Sequence, residues 1–537
     1  MSDPIKVIEA AEADVPAIRA IFQATYGEDY PYQFFYDEGW LKHSVFNNDI
    51  LMLVARDGAT DEVLGTSSVV LDVGAYTDLI GEFGRLAVLP SARGRGVGKA
   101  LMQARVDFVQ DRLHVGVVEN RCTHPFSQRI SHAFGFAPVG FLAIKHRFIQ
   151  RESVALFCRH FGDALSLRRN NPRVVPEVHA LAHIAMHNCG LTCDVVVDEE
   201  AAPYPGGTAF DIQELTARGL PALLRIERGR VRRREIFGPM RLQYGFFKLT
   251  ARHATYLIAR EAGQAQGAVA GAIGFIHDDI ERGVRLFELI SRSDHAIRPL
   301  MSALLVRCAE LGIEYVEADV SAHATRMQRT LVELGFVPAA YVPAMVFYEV
   351  ERLDTVKMIR LLVPPDVGEM QLTEDTQAVA DVVMGALKRQ SVLPRIAEAV
   401  DRISLFNGLT IEQRERIAGA CDVANFSAGE ALFRMGDTAD SMLMLLCGQV
   451  SVRRSDSQHL GHVHAGESVG ERSLLTGDRR SADVLAETEV TAASLNRDAL
   501  TALTRQRPDI AVVLYRNLAI GLGRKLKKLN AALASGE

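Results

Sequence analysis

Two segments 200 residues apart carry one pattern. SQRISHAFGFAPVG (127–140) is answered by MQRTLVELGFVPAA (327–340), with Gln128/Gln328, Gly135/Gly335 and Pro138/Pro338 in register. A period this long implies a duplicated domain, because solenoid repeats run roughly 20–50 residues. The 537-residue chain has room for it at ~150 residues per domain. The elements around the repeat agree. Val15, Ile18, Ile21 and Phe22 share a helical face, Ile50–Ala55, Gly65–Leu71 and Phe83–Leu89 read as strands, and Gly98–Leu113 reads as a helix. Strand-like runs return at Thr255–Ala259, Ala268–Ile276 and Val284–Ser291, followed by a helical stretch, Ile297–Leu311, and a strand, Tyr315–Val320. Both blocks therefore read as α/β units, 1–150 and 160–362.

Pro364-Pro365 breaks the pattern, and the stretch Asp375–Val400 then reads as a helical linker within 363–400. From 401 to 537 the character changes. Short apolar runs punctuated by Gly429, Gly436, Gly448, Gly461, Gly466, Gly470 and Gly477 predict a many-stranded β domain. Its tail, Ile510–Leu533, has helical spacing and a basic patch at Arg524, Lys525, Lys527 and Lys528. The fold class expected is multidomain, α/β plus β.

A net charge of −6 gives no electrostatic reason for general nucleic-acid or membrane affinity. No basic region followed by an apolar core opens the chain, and no run reaches the ~18 apolar residues of a membrane span. Seven scattered cysteines suit a reducing cytoplasm better than a disulfide framework. A cytoplasmic protein is expected, without nucleic-acid or membrane partners.

The segment RLAVLPSARGRGVGKALM (85–102) carries the first chemistry. A strand ends at Pro90, a glycine-rich loop follows, and a helix begins near Gly98. Gly94, Gly96 and Gly98 let successive backbone N–H groups face one concavity at the positive end of a helix, a cradle for a pyrophosphate. Arg93, Arg95 and Lys99 can add charge-assisted hydrogen bonds. An L-A-V strand, a proline and then Arg-x-x-Gly-x-Gly resembles the acetyl-CoA-binding motif of GNAT-type N-acetyltransferases over about residues 5–148. The resemblance implies that Arg93, Gly94, Arg95, Gly96, Val97 and Gly98 grip the pyrophosphate. It implies that Leu86, Ala87 and Val88 offer backbone groups to the pantetheine and the thioester carbonyl. Glu82 stands where some members keep a glutamate base. Ser131 occupies the position of a common tyrosine acid, and a serine has no pKa suited to that role.

The second unit lacks the loop. SRSDHAIRPLMSALL holds no glycine, and Pro299 interrupts the expected helix. Residues 160–362 are accordingly expected to be a degenerate GNAT-like unit that shapes the acceptor cleft. His179, His183 and His187 recur every four residues, ahead of Cys189 and Cys193. The same stretch is equally an amphipathic helix, so no metal site is expected. The run Arg228, Arg230, Arg232, Arg233 and Arg234 reads as a solvated edge.

The stretches FSAGEALFRMGDTADSMLMLLCGQVSVRR (426–454) and AGESVGERSLLTGDRRSADVLAET (465–488) resemble the cyclic-nucleotide-binding β roll of the catabolite activator protein and of cAMP-dependent kinase regulatory subunits. A buried cyclic phosphate needs a positive group and backbone donors. The resemblance puts Arg480, flanked by Ser481 and Ala482, at the phosphate. It puts Gly470 and Glu471 at the ribose 2′-hydroxyl, followed by Arg472 and Ser473. Arg472 and Arg479 depart from the family pattern and add positive charge nearby. The terminal helix is expected to cover the base, and nothing in the motif selects adenine over guanine.

These readings converge on an acyltransferase that uses acetyl-CoA, senses cAMP or a related cyclic nucleotide, and modifies an amine, either a small molecule or a protein lysine. The alternative is a non-catalytic sensor of acetyl-CoA and cAMP that signals to a protein partner. About thirty residues follow the β roll, too few for a helix-turn-helix domain. The oligomeric state is not legible.

Overall fold

The computed structural model describes the chain except residues 1–4, 29, 72–77, 149, 207–209, 216–234, 238–253, 262–268, 400–402, 439, 456–457 and 536–537. The arginine run 228–234 lies outside the described residues. Two compact units form, Met1–Met384 and Gly385–Glu537.

Unit 1 is built on a single 15-stranded sheet. Its first half comprises β1 (Lys6–Glu9), β2 (Ile50–Arg56), β3 (Val63–Val70), β4 (Ile80–Val88), β5 (Val115–Arg121), β6 (Ala137–Arg147) and β7 (Arg151–His160). A two-stranded ribbon follows, β8 (Arg173–Val174) with β9 (Val196–Val197). The second half comprises β10 (Phe210–Glu214), β11 (Ile236–Phe237), β12 (Ala254–Glu261), β13 (Val269–Asp278), β14 (Gly283–Ser291), β15 (Tyr315–Ser321), β16 (Val337–Tyr348) and β17 (Glu351–Leu361). The order β2-β3-β4-β5-β7-β6 is mirrored by β12-β13-β14-β15-β17-β16, and the halves meet where Gly140 of β6 pairs with Ala340 of β16. A Cβ on Gly140 would sit 2.2 Å from that of Ala340, so only glycine permits the junction. The strand β7 lies beyond the 150 boundary read from sequence, yet pairs with both β5 and β6.

The repeated residues do the same work in each half. Gln128 and Gln328 are fully buried. The Gln128 amide donates to Arg121 O and Gln371 O and accepts from Thr373 N. The Gln328 amide donates to Ser321 O and accepts from Val175 N. Each glutamine closes the end of a central strand and fastens a connecting segment, which satisfies its buried amide. Gly135 and Gly335 take φ +73° and +82° just after equivalent helices, a conformation that favours glycine.

Pro299 does not break its helix. Asp294–Glu310 is continuous through it, because Ala296, Ile297, Leu300, Met301, Leu304 and Cys308 are buried along one face and packing outweighs one lost hydrogen bond. The linker helix runs Glu374–Ala399, and its first turns bury Thr376, Val379, Ala380 and Val383 within unit 1. No helix among the described residues is long and apolar enough to cross a membrane.

Unit 2 stacks two four-stranded sheets. One has the order β18 (Asp422–Phe426), β25 (Val490–Asn496), β20 (Ser441–Cys447), β23 (Ser468–Val469). The other runs β19 (Ala431–Phe433), β24 (Asp483–Ala486), β21 (Gln449–Ser455), β22 (Gln458–His464). Leu443, Leu445, Val450, Val484 and Ala492 fill the space between them. After the roll come the helices Arg497–Gln506 and Pro508–Ser535.

Candidate functional sites

In unit 1 a fork between two strands makes the first site. The parallel strands β4 and β5 pair only from Ile80–Glu82 to Val115–Val117. Beyond Glu82 a register shift against β3 and a positive φ of +55° at Arg85 turn β4 away. Arg105 is almost wholly buried and holds this bulge, with Nη1 3.2 Å from Gly84 O. Burial pushes its guanidinium down to about 9. Residues Leu86–Val88 keep β3 on one edge, through Ala87–Thr66 and Val88–Gly65, and face the fork with the other.

The loop after β4 ends at the start of the helix Val97–Val109. Gly94 and Gly96 take φ +79° and +87°, and no atom lies within 4 Å of a Cβ built on either. Gly96 is the N-cap and no side chain caps the helix. Ala100 N, bonded to Gly96 O, makes the first intrahelical hydrogen bond, so the N–H groups of Val97, Gly98 and Lys99 lie in the uncapped first turn. The glycine-rich loop thus leads into an uncapped helix start.

Fork and loop open into a cleft of about 1490 Å³. Glu82, Leu86, Ala87, Val88, Arg93, Gly94, Gly96, Val97, Gly98, Lys99 and Ser131 all line it. Arg95 does not. Its guanidinium pairs with Asp57 at 2.5 Å and holds that carboxyl at about 2, so the expectation that it grips phosphate is corrected. Ser131 is buried and donates to Asn120 Oδ1 at 3.1 Å. That bond occupies the hydroxyl proton and orients the amide of Asn120, a residue that lines the cleft and whose Nδ2 is buried without a partner.

The second half was expected to shape the acceptor cleft, but sequence reasoning named none of the residues that do so. Ile276, Asp278, Glu281, Arg285, Tyr315 and Glu317 of the second half line the same cleft. At its floor Lys145 Nζ lies 2.6 Å from Glu119 and 3.3 Å from Glu317, and Arg285 lies within 3.4 Å of both Glu317 and Asp319. Burial raises the Glu119 and Glu317 carboxyls, but the neighbouring Lys145 outweighs it, with His146 at Glu119 and Lys357 and Arg285 at Glu317. Glu317 is brought to about 2, so both carboxyls stay ionised and ion-paired near neutrality. Glu281 differs. It accepts from Arg147 N at 2.7 Å and faces His146 Nδ1 at 2.8 Å, yet burial raises it to about 7. Tyr26, Tyr30, Tyr32, Phe34, Phe35 and Trp40 form an aromatic wall. The aromatic-dense run 26–36 was the one readable sign of it.

In unit 2 the second site forms around Arg480. Its guanidinium carbon stands 3.5 Å from the Phe433 ring centroid, Nη2 reaches Ser441 Oγ at 3.3 Å, and Nη1 is buried without a partner. Burial lowers its pKa. Gly470, φ +86°, is the N-cap of the short helix Glu471–Thr476, and a Cβ there would lie 2.5 Å from Arg480 Nη1. The glycine thus leaves the donor uncovered. Glu471 is buried, accepting from Ser468 Oγ at 2.5 Å and Lys525 Nζ at 2.6 Å. Ser473 and Ala482 are buried, while Arg472 and Ser481 are exposed. Arg479 donates to Gly436 O at 2.7 Å, so its charge ties a turn. The terminal helix buries Ile510, Leu514 and Leu518 in a core with Leu405, Phe406 and Ile417.

Each site sets an arginine near a helix that starts at a glycine of positive φ, Arg93 with Gly96 in unit 1 and Arg480 with Gly470 in unit 2. Residues 48–136 match the family described as Acetyltransferase (GNAT) domain, and residues 423–507 match Cyclic nucleotide-binding domain. The chain therefore carries a GNAT acetyltransferase domain and a C-terminal cyclic nucleotide-binding domain. It is similar to a cGMP-dependent protein kinase of Plasmodium berghei, 33% identical over 119 residues, 22% of this chain and 13% of that one. It is also similar to Glutaminase 2 of Bradyrhizobium diazoefficiens, 35% identical over 107 residues, 20% of this chain and 17% of that one. The chain thus spans less than a fifth of either relative's length. Among solved structures, a cyclic nucleotide-binding domain from Methylobacillus flagellatus aligns at 24% identity with a TM-score of 0.26, over 27% of this chain and 85% of that one.

Proposed function

We propose that the protein is a cyclic-nucleotide-regulated N-acetyltransferase that moves acetyl from acetyl-CoA to an amine. The observation that carries this is the uncapped, glycine-built helix start at Gly96 beside the β4–β5 fork, which fits a pyrophosphate with an extended arm behind it. Acetyl-CoA would supply an acyl group activated as a thioester. Val97, Gly98 and Lys99 N–H with Arg93 hold the pyrophosphate. The fork-facing backbone of Leu86–Val88, with the free Asn120 amide, orients the arm and polarises the carbonyl. Glu82, at the mouth of the fork, takes the proton from the attacking amine.

The second half acts as a GNAT-like unit without its loop, and its Glu281 helps hold the acceptor. A carboxyl near 7 is neutral below that pH and an anion above it. The KM for a cationic amine therefore falls as pH rises through about 7. Glu281→Gln flattens that limb and raises KM at pH 8, with kcat little changed. Initial rates from pH 6 to 8.5 check this, and an unaltered profile removes Glu281 from the acceptor site. Glu281 and the aromatic wall suit an amine on an apolar stem, as in a lysine side chain.

Cyclic AMP or a related nucleotide is the effector. Its phosphate takes the free Arg480 Nη1, and Glu471 takes the ribose hydroxyl. A hydrogen bond to a charged group contributes ~1.5–3 kcal/mol, and 1.4 kcal/mol is about tenfold. Arg480→Ala accordingly weakens nucleotide binding by about ten- to a hundred-fold in calorimetry. Within unit 1, Gln371 and Thr373 are tied to Gln128, on the helix whose Ser127, Ile130 and Ser131 line the cleft. A ligand that favours one position of this segment alters the cleft.

A non-catalytic sensor is the second reading, favoured by the Ser131 hydroxyl being spent on Asn120. Mass spectrometry of a cell extract incubated with the protein and labelled acetyl-CoA, with and without cAMP, separates the two. Labelled acceptors support the enzyme, and an untouched thioester supports the sensor.

A further inference from the structure

Outside both sites, three donors of one kind converge. Cys158 and His160 stand two apart on β7, so their side chains share a face of the sheet. The helix Pro176–Asn188 ends at Cys189, its C-cap. Cys158 Sγ and Cys189 Sγ lie 3.7 Å apart, and with a His160 ring nitrogen they form a trio within 4.8 Å of one another. The histidines at 179, 183 and 187, weighed as ligands from sequence, do not join a metal-sized group among the described residues. Cys189 leaves them for a strand thirty residues earlier.

The geometry is that of ligands rather than of a bond. A disulfide needs its sulfurs at ~2.05 Å. Two thiolates on one tetrahedral Zn²⁺, at ~2.3 Å each, stand ~3.75 Å apart. The two thiols, 3.7 Å apart in hydrogen-bond contact, already stand at the separation of that tetrahedral edge. His160 is oriented as a ligand as well. Its Nε2 is 2.7 Å from Pro343 O, a carbonyl that can only accept, so Nε2 carries the proton and Nδ1 presents a lone pair. Carbonyl-bound imidazoles of this kind are the usual second partner of metal-ligating histidines.

We propose that Cys158, His160 and Cys189 bind one borderline-soft transition-metal ion of the Zn²⁺ class. Binding releases the two thiol protons and forms two metal–thiolate bonds and one metal–imidazole bond. The fourth position opens into a 610 Å³ cavity that the three residues line together with Asp107, Arg159 and Asn188. Water or a small anion fills it. The ion fastens the end of the helix Pro176–Asn188 to β7, and through Pro343 to β16, at the place where the two halves of the sheet meet.

The test uses the full chain, reduced and stripped of metal, with Zn²⁺ or Co²⁺ alone as probe. Expected are one equivalent of Zn²⁺ per chain and, with Co²⁺, a thiolate charge-transfer band and tetrahedral visible bands. Cys158→Ser and Cys189→Ser lower affinity by at least about 100-fold, and His160→Gln by about 10–100-fold. Acetyl-CoA binding, which uses none of the three, reports that each variant is folded. Should the buried Cys158 variant not fold, the half-buried Cys189 variant carries the test alone. Absence of the thiolate band, unchanged affinity in Cys189→Ser, or a disulfide forming readily in a chain that takes up no metal each overturns the proposal.

Discussion

Replacing Glu82 with glutamine lowers acetyl transfer by about 10²–10⁴-fold and leaves acetyl-CoA affinity unchanged. Glu82 stands where β4 and β5 part, lines the cleft, and is partly open to solvent with Arg85 3.5 Å away. It can therefore reach an incoming amine and pass its proton to water. Glu119 and Glu317 are held as anions by Lys145, Lys357 and Arg285, which lowers their basicity, whereas Glu82 has, among the described residues, only Arg85 beside it. The amide of glutamine keeps the shape and removes the basicity, so kcat carries the loss. Steady-state rates and calorimetry on one preparation check both halves of the statement. A near-normal rate in Glu82→Gln together with a large kcat loss in Glu281→Gln moves the base to Glu281, whose carboxyl lies near 7.

Gly96→Asp abolishes acetyl-CoA binding, with affinity down at least about 100-fold, since a carboxylate then occupies the position of the pyrophosphate at the helix start. No atom lies within 4 Å of the new Cβ, so the cost of this variant is the backbone strain of a side chain at φ +87°. Gly98→Asp has an ordinary φ and its Cβ meets two side-chain ends, Ile130 Cδ1 at 3.3 Å and Leu86 Cδ2 at 3.8 Å, so it gives the same loss by an independent route. Calorimetry decides, with circular dichroism reporting the fold. Full acetyl-CoA affinity in either folded variant removes the assignment of this loop.

The parts legible in sequence are those whose chemistry is local. Gly94, Gly96 and Gly470 take positive φ, which favours glycine, and Gly470 also leaves room for the Arg480 guanidinium. Their spacing against Pro90 and Arg480 is what marked both loops in the sequence. The Gln128/Gln328 repeat was legible because each glutamine closes its own strand end. Where each charge goes was not legible. Arg93 lines the cleft while Arg95, two residues on, pairs with Asp57 across a turn. Ser131 could be placed at the acid's position, but not its bond to Asn120, eleven residues earlier on a neighbouring strand.

By itself the sequence determined the duplicated α/β pattern, the β-rich C-terminal unit and the positions of the two glycine-capped helix starts, because backbone conformation and strand or helix period are set over a few residues. Only the tertiary structure decided that the two halves share one sheet through Gly140 and Ala340, that Glu281 faces the same cleft as Glu82, and that Cys189 meets Cys158 and His160. Those pairings depend on strand order and on burial. A buried carboxylate becomes either a locked anion or a group titrating near 7 according to which cations the fold sets beside it, as Glu317 and Glu281 do.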